Sequence, residues 1–294
     1  MNNHQCIDLE HLELNGAIAC YLVDGPEPTI IDPGPTTTLH RLIDELAIRG
    51  VGPSDLRHVL LTHIHLDHAG AAGFLLDHFP NARVFVHEDG ASHIVNPERL
   101  VSSTRRTFGD LHDRLWGEVK PVDANRLDVW RSDEMPAVAG LRPISTPGHI
   151  SHHLAYLDES DGTLFSGDSM GIALAGGPQH PPTPPPAVNL PDWARTLEEI
   201  GNIGPERFGA THFGLHEDVE VRRVQLAERL QALEARVRVA IERGREEEDA
   251  AAFEEEVRTE LAPFMGEDGV NRYFDMFPAA TDWAGVMFYV KRNP

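Results

Sequence analysis

Cysteine is almost missing from this chain: 294 residues contain two, Cys6 and Cys20. Two thiols cannot build a disulfide framework or a four-cysteine zinc site, and they read as free thiols of a reducing compartment. Basic residues are scarce as well. The 25 Lys and Arg face 47 Asp and Glu, a formal net charge of −22. A nucleic-acid binder needs a basic footprint to displace counterions, so nucleic acid and anionic membrane surfaces are excluded as partners. No run of about 18 apolar residues occurs, so no membrane span is expected. The opening Met1-Asn2-Asn3-His4-Gln5 is polar and lacks a basic segment followed by an apolar one, and the expected location is cytoplasmic. Neither a G-x-x-x-x-G-K-[ST] nor a G-x-G-x-x-G loop is present, so nucleotide binding has no support.

What remains is a globular chain. Apolar residues make up 41% and charged residues 24%, a mix that builds a real core. The first third reads as strands followed by helices. Ile18–Val23 and Thr29-Ile30-Ile31 are strands, the second ending at the turn Asp32-Pro33-Gly34. Apolar residues at helical spacing cover 38–49 and 69–79, with strands at Val59-Leu60-Leu61 and Arg83–Val86. A single helix is expected over 98–116, with Leu100, Leu111 and Leu115 on its apolar face. Short strands follow at 127–130, 141–144, 153–157 and 163–165. Residues 177–191 hold seven prolines, which bars helix and central strand. A helix near 191–203 and the strand Arg207–Ala210 close this part. Leu226, Leu230, Leu233, Val237 and Ile241 then repeat at helical spacing. The acidic run Glu246–Asp249 reads as a solvated helix face. The expected division is a catalytic domain over 1–216 and an all-α extension over 217–294.

Seventeen histidines are present, and they cluster. Thr62-His63-Ile64-His65-Leu66-Asp67-His68-Ala69-Gly70 places four metal-ligand candidates within six residues, where a strand gives way to a helix. In an extended segment His63 and His65 point the same way, and packing does not explain so dense a group. Three later residues match it. His149 in Thr146-Pro147-Gly148-His149, Asp168 in Phe165-Ser166-Gly167-Asp168, and His212 in Ala210-Thr211-His212 each follow a strand directly. Taken singly, they could be a cap, a turn former and a surface residue.

The pattern His-x-His-x-Asp-His with a downstream His, Asp and His resembles the metallo-β-lactamase fold superfamily over about residues 5–216. The resemblance implies an α/β fold, a four-layer αβ/βα sandwich with its site along one edge of two sheets, here followed by the helical extension. It implies two divalent metal ions: one on His63, His65 and His149, the other on Asp67, His68 and His212, with Asp168 bridging. Imidazole and carboxylate ligands suit zinc first, and iron or manganese as well. Asp32 is implied to support a ligand histidine from behind, as partners of metal-bound histidine do. Gly34, Gly70, Gly148 and Gly167 are read as permitting tight turns beside the site.

The implied activity is that of a metal-dependent hydrolase. A metal-bridging hydroxide attacks an ester-like carbonyl of a small molecule, and Asp67 and Asp168 are the catalytic candidates. Asp67 or a metal-bound water then protonates the leaving group. The nearest branches cleave thioesters or lactones, although no tyrosine lies between Asp168 and His212, where many lactonases carry one. Alternatives on the same fold are a mononuclear-iron oxygenase of the persulfide dioxygenase type and a non-catalytic ligand-binding protein. Gly167-Asp168-Ser169-Met170-Gly171 formally matches the nucleophile elbow of serine hydrolases. Arg105-Arg106 reads as a solvated helix face or an anion grip. Trp116, Trp130, Trp193 and Trp283 are core or pocket wall, and His180 and His216 are near ligand candidates or surface residues. The proline-rich loop is expected to border the cleft, so that shortening it alters KM while metal content holds. The C-terminal helices either cover the cleft or form a homodimer.

Overall fold

The computed structural model describes residues 4–294. Met1-Asn2-Asn3, the start of the segment read above as lacking a leader, lies outside the described residues. Strands β1 (His4–Asp8), β2 (Ala19–Val23), β3 (Thr29–Ile31), β4 (His58–Leu60), β5 (Arg83–His87) and β6 (Leu127–Trp130) form one sheet in that order. Strands β7 (Leu141–Ser145), β8 (Leu154–Asp158), β9 (Thr163–Gly167), β10 (Arg207–Ala210) and β11 (Gly214–His216) form a second sheet, in the order β11-β10-β9-β8-β7.

Period-two alternation assembles the layers. Tyr21, Ile31 and Leu60 of the first sheet meet Tyr156 and Phe165 of the second in the core between them. Their neighbours Leu22, Ile30 and Val59 face outward, onto α1 (Leu39–Ile48) and the helices that follow β4, which are α2 (Leu66–Ala69) and α3 (Ala72–His78). α4 (Glu88–Val95), α5 (Glu98–Phe108) and α6 (His112–Leu115) come next in the chain. On the far side, Leu157, Leu164 and Phe208 pack under α7 (Leu190–Ile203) and α8 (Val219–Arg243). The result is the four-layer αβ/βα sandwich. Each core residue removed from water contributes roughly 1.5–3 kcal/mol.

α9 (Glu246–Phe274) and α10 (Ala280–Arg292) complete the chain. α8 and α10 share the core of the second sheet through Leu226, Leu230, Trp283 and Val286. Leu261, Val270 and Phe274 of α9 instead join the core of the first sheet. The C-terminal helices therefore bridge both halves of the sandwich. No helix among the described residues is long and apolar enough to cross a membrane.

The helix expected over 98–116 is broken. Gly109 at φ +53° ends α5, and α6 restarts at His112, so Leu100 and Leu115 sit on separate elements. The helix expected near Ala69 begins at Leu66. The strands β1 and β11 had no signal: His4-Gln5-Cys6-Ile7-Asp8 and Gly214-Leu215-His216 lack a β-branched run. Cys6 and Cys20 are free thiols, Cys20 fully buried.

Candidate metal centre

β3 and β4 run parallel, as do β9 and β10, and β7 shares the direction of β9 through the antiparallel β8. The C-terminal ends of these five strands meet at one edge of the sandwich. Asp32 follows β3, the His63–His68 group follows β4, His149 follows β7, Asp168 follows β9 and His212 follows β10. All eight sequence candidates are brought together there.

Their ligand atoms converge in three sets, each within 4.8 Å: His63, His65 and His149; His63, His68 and Asp168; Asp67, His68 and His212. Nδ1 of His65 lies 2.9 Å from Nε2 of His63 and 3.0 Å from Nε2 of His149. Asp168 reaches both halves, 3.4 Å from His149 Nε2 and 3.4 Å from His68 Nε2. Asp67 lies 3.3 Å from His212 Nε2. The Asp168 carboxylate thus lies between the His149 and His68 groups.

Outward hydrogen bonds fix the tautomers. His68 Nδ1–H donates to Asp32 at 2.7 Å, His149 Nδ1–H to the Pro182 carbonyl at 2.8 Å, and His212 Nδ1–H to the Ala17 carbonyl at 2.8 Å. The Thr62 hydroxyl donates to Asp32 at 2.8 Å and accepts from His63 Nδ1 at 3.1 Å. Four rings thus spend their Nδ1 proton outward and aim an Nε2 lone pair inward. Lone pairs this close repel unless a cation lies among them, which is the arrangement of an oriented ligand set. Two atoms make the same point: His68 Nε2 and Asp168 Oδ1 are buried with no hydrogen-bond partner. The residues present fit divalent metal.

Electrostatics divides the site. Burial, with neighbouring His68, His65 and His149, pushes His63 well below the usual imidazole range. Burial and His149 bring His65 to about 3. These rings are neutral and ready to ligate. In the other half burial opposes charge, but the carboxylates of Asp168, Asp32 and Asp67 outweigh it and raise His68. Burial likewise works against Asp168, yet His68, His149 and His212 hold its carboxyl well below the usual range.

A second layer steadies the first. Asp32, fully buried at φ +53°, accepts from Thr62 N, Thr62 Oγ1 and Thr211 Oγ1 at 2.8, 2.8 and 2.9 Å, as well as from His68. The backbone N–H of Asp168 donates to His153 Nε2 at 3.1 Å, and His153 Nδ1 pairs with Thr146 at 2.7 Å. Thr62, Thr211 and His153 were not anticipated. The two Thr-His pairs, 62–63 and 211–212, were the available signal. Gly148, at φ +143°, lets Trp193 close in: a Cβ there would lie 2.4 Å from the Trp193 Cβ. Trp193 Nε1–H in turn donates to the Ser169 carbonyl at 2.8 Å.

A cavity of about 510 Å³ opens over the cluster. His65, Asp67, His149, Asp168 and His212 form its floor, and Pro182 and Pro184–Pro186 one wall. Leu100, Thr104, Phe108 and Trp116 form another, and Tyr273, Phe274, Phe277 and Asp282 from the C-terminal region close it. The proline-rich loop borders the cleft, and the C-terminal helices cover it. Trp116 is pocket wall, whereas Trp130, Trp193 and Trp283 belong to cores. Arg105 pairs with Asp113 at 2.6 Å on the exposed face of α5, outside the cavity. His216 donates to the Phe213 carbonyl and stays outside the site, but His180 is buried and lines the cavity. Ser169 is fully buried and donates to the Ser166 carbonyl at 2.7 Å, so the nucleophile-elbow reading fails. A further cluster, His4 with Asp158 and Asp161, lies elsewhere, and there Arg207 already pairs with Asp161 at 3.0 Å.

Comparison with known proteins agrees with this picture. The family model described as "Metallo-beta-lactamase superfamily" matches residues 15–212. The metallo-beta-lactamase fold-containing protein ST1585 of Sulfurisphaera tokodaii is 30% identical over 165 residues, 54% of this chain and 61% of that protein. The probable metallo-hydrolase YqjP of Bacillus subtilis is 27% identical over 214 residues, 65% of each chain. The chain thus spans less than two thirds of the length of these relatives. Shorter matches reach the N-acyl homoserine lactonase AttM of Agrobacterium fabrum, 28% identical over 39% of this chain and 40% of that protein. They also reach the thioesterase pkgB of Emericella nidulans, 31% identical over 39% of this chain and 24% of that protein. Among solved structures, archaeal ST1585 superposes with a TM-score of 0.64 at 25% identity, covering 79% of this chain and 86% of its own.

Proposed function

The chain belongs to the metallo-β-lactamase superfamily, and on that premise we propose that it is a dinuclear metal-dependent hydrolase of small-molecule esters, thioesters or lactones. His63, His65 and His149 would hold one divalent cation; Asp67, His68 and His212 would hold the other; Asp168 would serve both. The observation that carries this reading is the pair of contacts from His65 to His63 and His149, 2.9 and 3.0 Å between inward-facing ring nitrogens. Zinc is the favoured metal, since mixed imidazole and carboxylate sets suit it, with iron and manganese next.

Divalent cations bound by these residues would supply Lewis acidity to a carbonyl oxygen and make a coordinated water more acidic. The protein does the rest. Asp67, partly open at the cavity floor, orients the attacking water. Asp32, Thr62 and Thr211 keep the His68 ring from turning. Phe108, Trp116, Phe274 and Phe277 present an apolar wall to the substrate's acyl part and exclude bulk water. The named activities of the lactonase and thioesterase relatives support a carbonyl electrophile. The site, in a chain of net charge −22, favours a neutral or weakly charged substrate over a polyanion.

A panel of lactones, oxygen esters, thioesters and phosphodiesters, assayed with and without chelator, tests the reading. Chelator-sensitive cleavage of a carbonyl substrate is expected. Oxygen consumption with a single iron per chain would support the oxygenase alternative instead.

A further inference from the structure

His180 lies outside the metal-ligand set, is 3% exposed and lines the cavity. Backbone pairing fixes its place. Its N–H and C=O bond Ile172 at 2.8 and 2.9 Å, and the next residue, Ala173, bonds the His212 carbonyl. Two residues further on, Pro182 holds His149. His180 is therefore anchored between the supports of two ligand histidines without being one.

Its ring is oriented from the C-terminal helices. Nε2 lies 3.1 Å from Asp282 Oδ2, and the Phe253 ring stacks on it at 5.9 Å and 27°. Nδ1 makes no hydrogen bond to the described residues. Asp282 is itself locked: Thr183 N–H donates to its Oδ1 at 2.6 Å, and the Thr183 hydroxyl donates to its carbonyl at 2.9 Å. A Cβ at Gly285 would lie 1.7 Å from the Thr183 oxygen, so α10 sits directly against the loop. A carboxylate on one ring nitrogen fixes the ring's orientation and tautomer and leaves the other nitrogen free to exchange a proton with a substrate. His11, also in the wall, is committed: Nε2–H donates to the Leu115 carbonyl at 2.9 Å. Asp67 belongs to the ligand set and already faces His212 Nε2 at 3.3 Å.

We propose that His180, held by Asp282, is the general acid that protonates the leaving group, and that the substrate is an oxygen ester or lactone rather than a thioester. This rests on the hydrolase reading above. Water adds its oxygen to the acyl carbon. The bond from that carbon to the leaving oxygen breaks, its electron pair stays on that oxygen, and the oxygen takes the Nδ1 proton. The imidazole regains the proton released by the attacking water, so each turnover consumes one water and yields an acid and an alcohol. A departing alkoxide is about as basic as hydroxide, whose parent water has a pKa near 15.7, and it needs this proton. A thiolate, whose thiol has a pKa near 8.5, leaves without it.

The test uses the metal-loaded full chain and three substrates sharing one acyl group: an alkyl ester, a p-nitrophenyl ester and a thioester. His180→Ala is expected to lower kcat about 100-fold on the alkyl ester and about tenfold less severely on the other two. Added imidazole restores part of the alkyl-ester rate. Metal content and thermal midpoint stay near wild type, and Asp282→Asn shifts the His180 ring signals in ¹⁵N NMR. Asp282→Asn also gives a smaller loss with the same substrate order, which keeps the test valid should His180→Ala misfold. Equal loss on all three substrates, no loss, or loss of metal would overturn the role of His180 while leaving the hydrolase reading intact. A wild-type protein inert on all three, with its metal bound, would overturn both.

Discussion

Asp32 Oδ2 accepts the Nδ1 proton of His68 at 2.7 Å, and neither side chain is exposed to solvent. This contact decides which nitrogen of His68 faces the cavity. Asp32→Asn keeps the shape but can present an N–H where an acceptor is needed. Loss of such a partner weakens metal affinity about 10–100-fold. Competition with a chromogenic chelator measures it, and unchanged affinity would show that Thr62 and Thr211 suffice.

Gly148 meets Trp193 more closely than any side chain allows. Gly148→Ala must move Trp193 or its loop and also adopt φ +143°. Overpacking and backbone strain each cost about 1–3 kcal/mol, so a loss of about 2–6 kcal/mol is expected in urea unfolding. Because Trp193 holds the Ser169 carbonyl next to Asp168, metal content should fall too. A variant of wild-type stability would contradict this packing.

Shortening the proline-rich loop should do more than change KM. The sequence alone suggested that metal content would hold. In the structure the Pro182 carbonyl accepts from His149 Nδ1, so deletion across Pro181–Thr183 removes a support of the three-histidine half. Metal content is expected to drop towards one ion per chain, as read by elemental analysis. Full content with altered KM would restore the simpler view.

Acid should destabilise the metal-free protein early. His63 and His153 are pushed well below the usual imidazole range by burial, and His65 to about 3. Between pH 6.5 and about 3 the unfolded chain therefore binds more protons at these positions than the folded one, and stability falls as pH falls. The raised His68 and His212 act oppositely. Their contribution is full below 6.5 and is lost as pH rises through their folded values. Thermal midpoints of chelated protein should thus decline steeply below pH 6.5, and a flat profile down to pH 4 would contradict the burial of neutral rings.

The densest part of the site was legible because its ligands lie within six residues at a strand-to-helix junction. His149, Asp168 and His212 were legible because each ends a strand. What stayed hidden depends on long-range packing. Tyr273 and Asp282 come from helices whose pattern shows an apolar stripe but not which cavity it closes. His180 sits in a proline-rich stretch that periodicity cannot orient, and only the contact with Asp282 reveals it. Gly109 broke a helix whose apolar spacing runs through Leu100, Leu111 and Leu115, because its φ of +53° lies outside helical geometry.

The most direct test of the central claim is a metal titration of the chelated chain, with bound metal counted per polypeptide. Two equivalents of divalent cation are expected for the wild type, and about one for His63→Ala combined with His149→Ala and for Asp67→Ala combined with His212→Ala. Failure of the wild type to retain any cation, or full retention by both double variants, would contradict it.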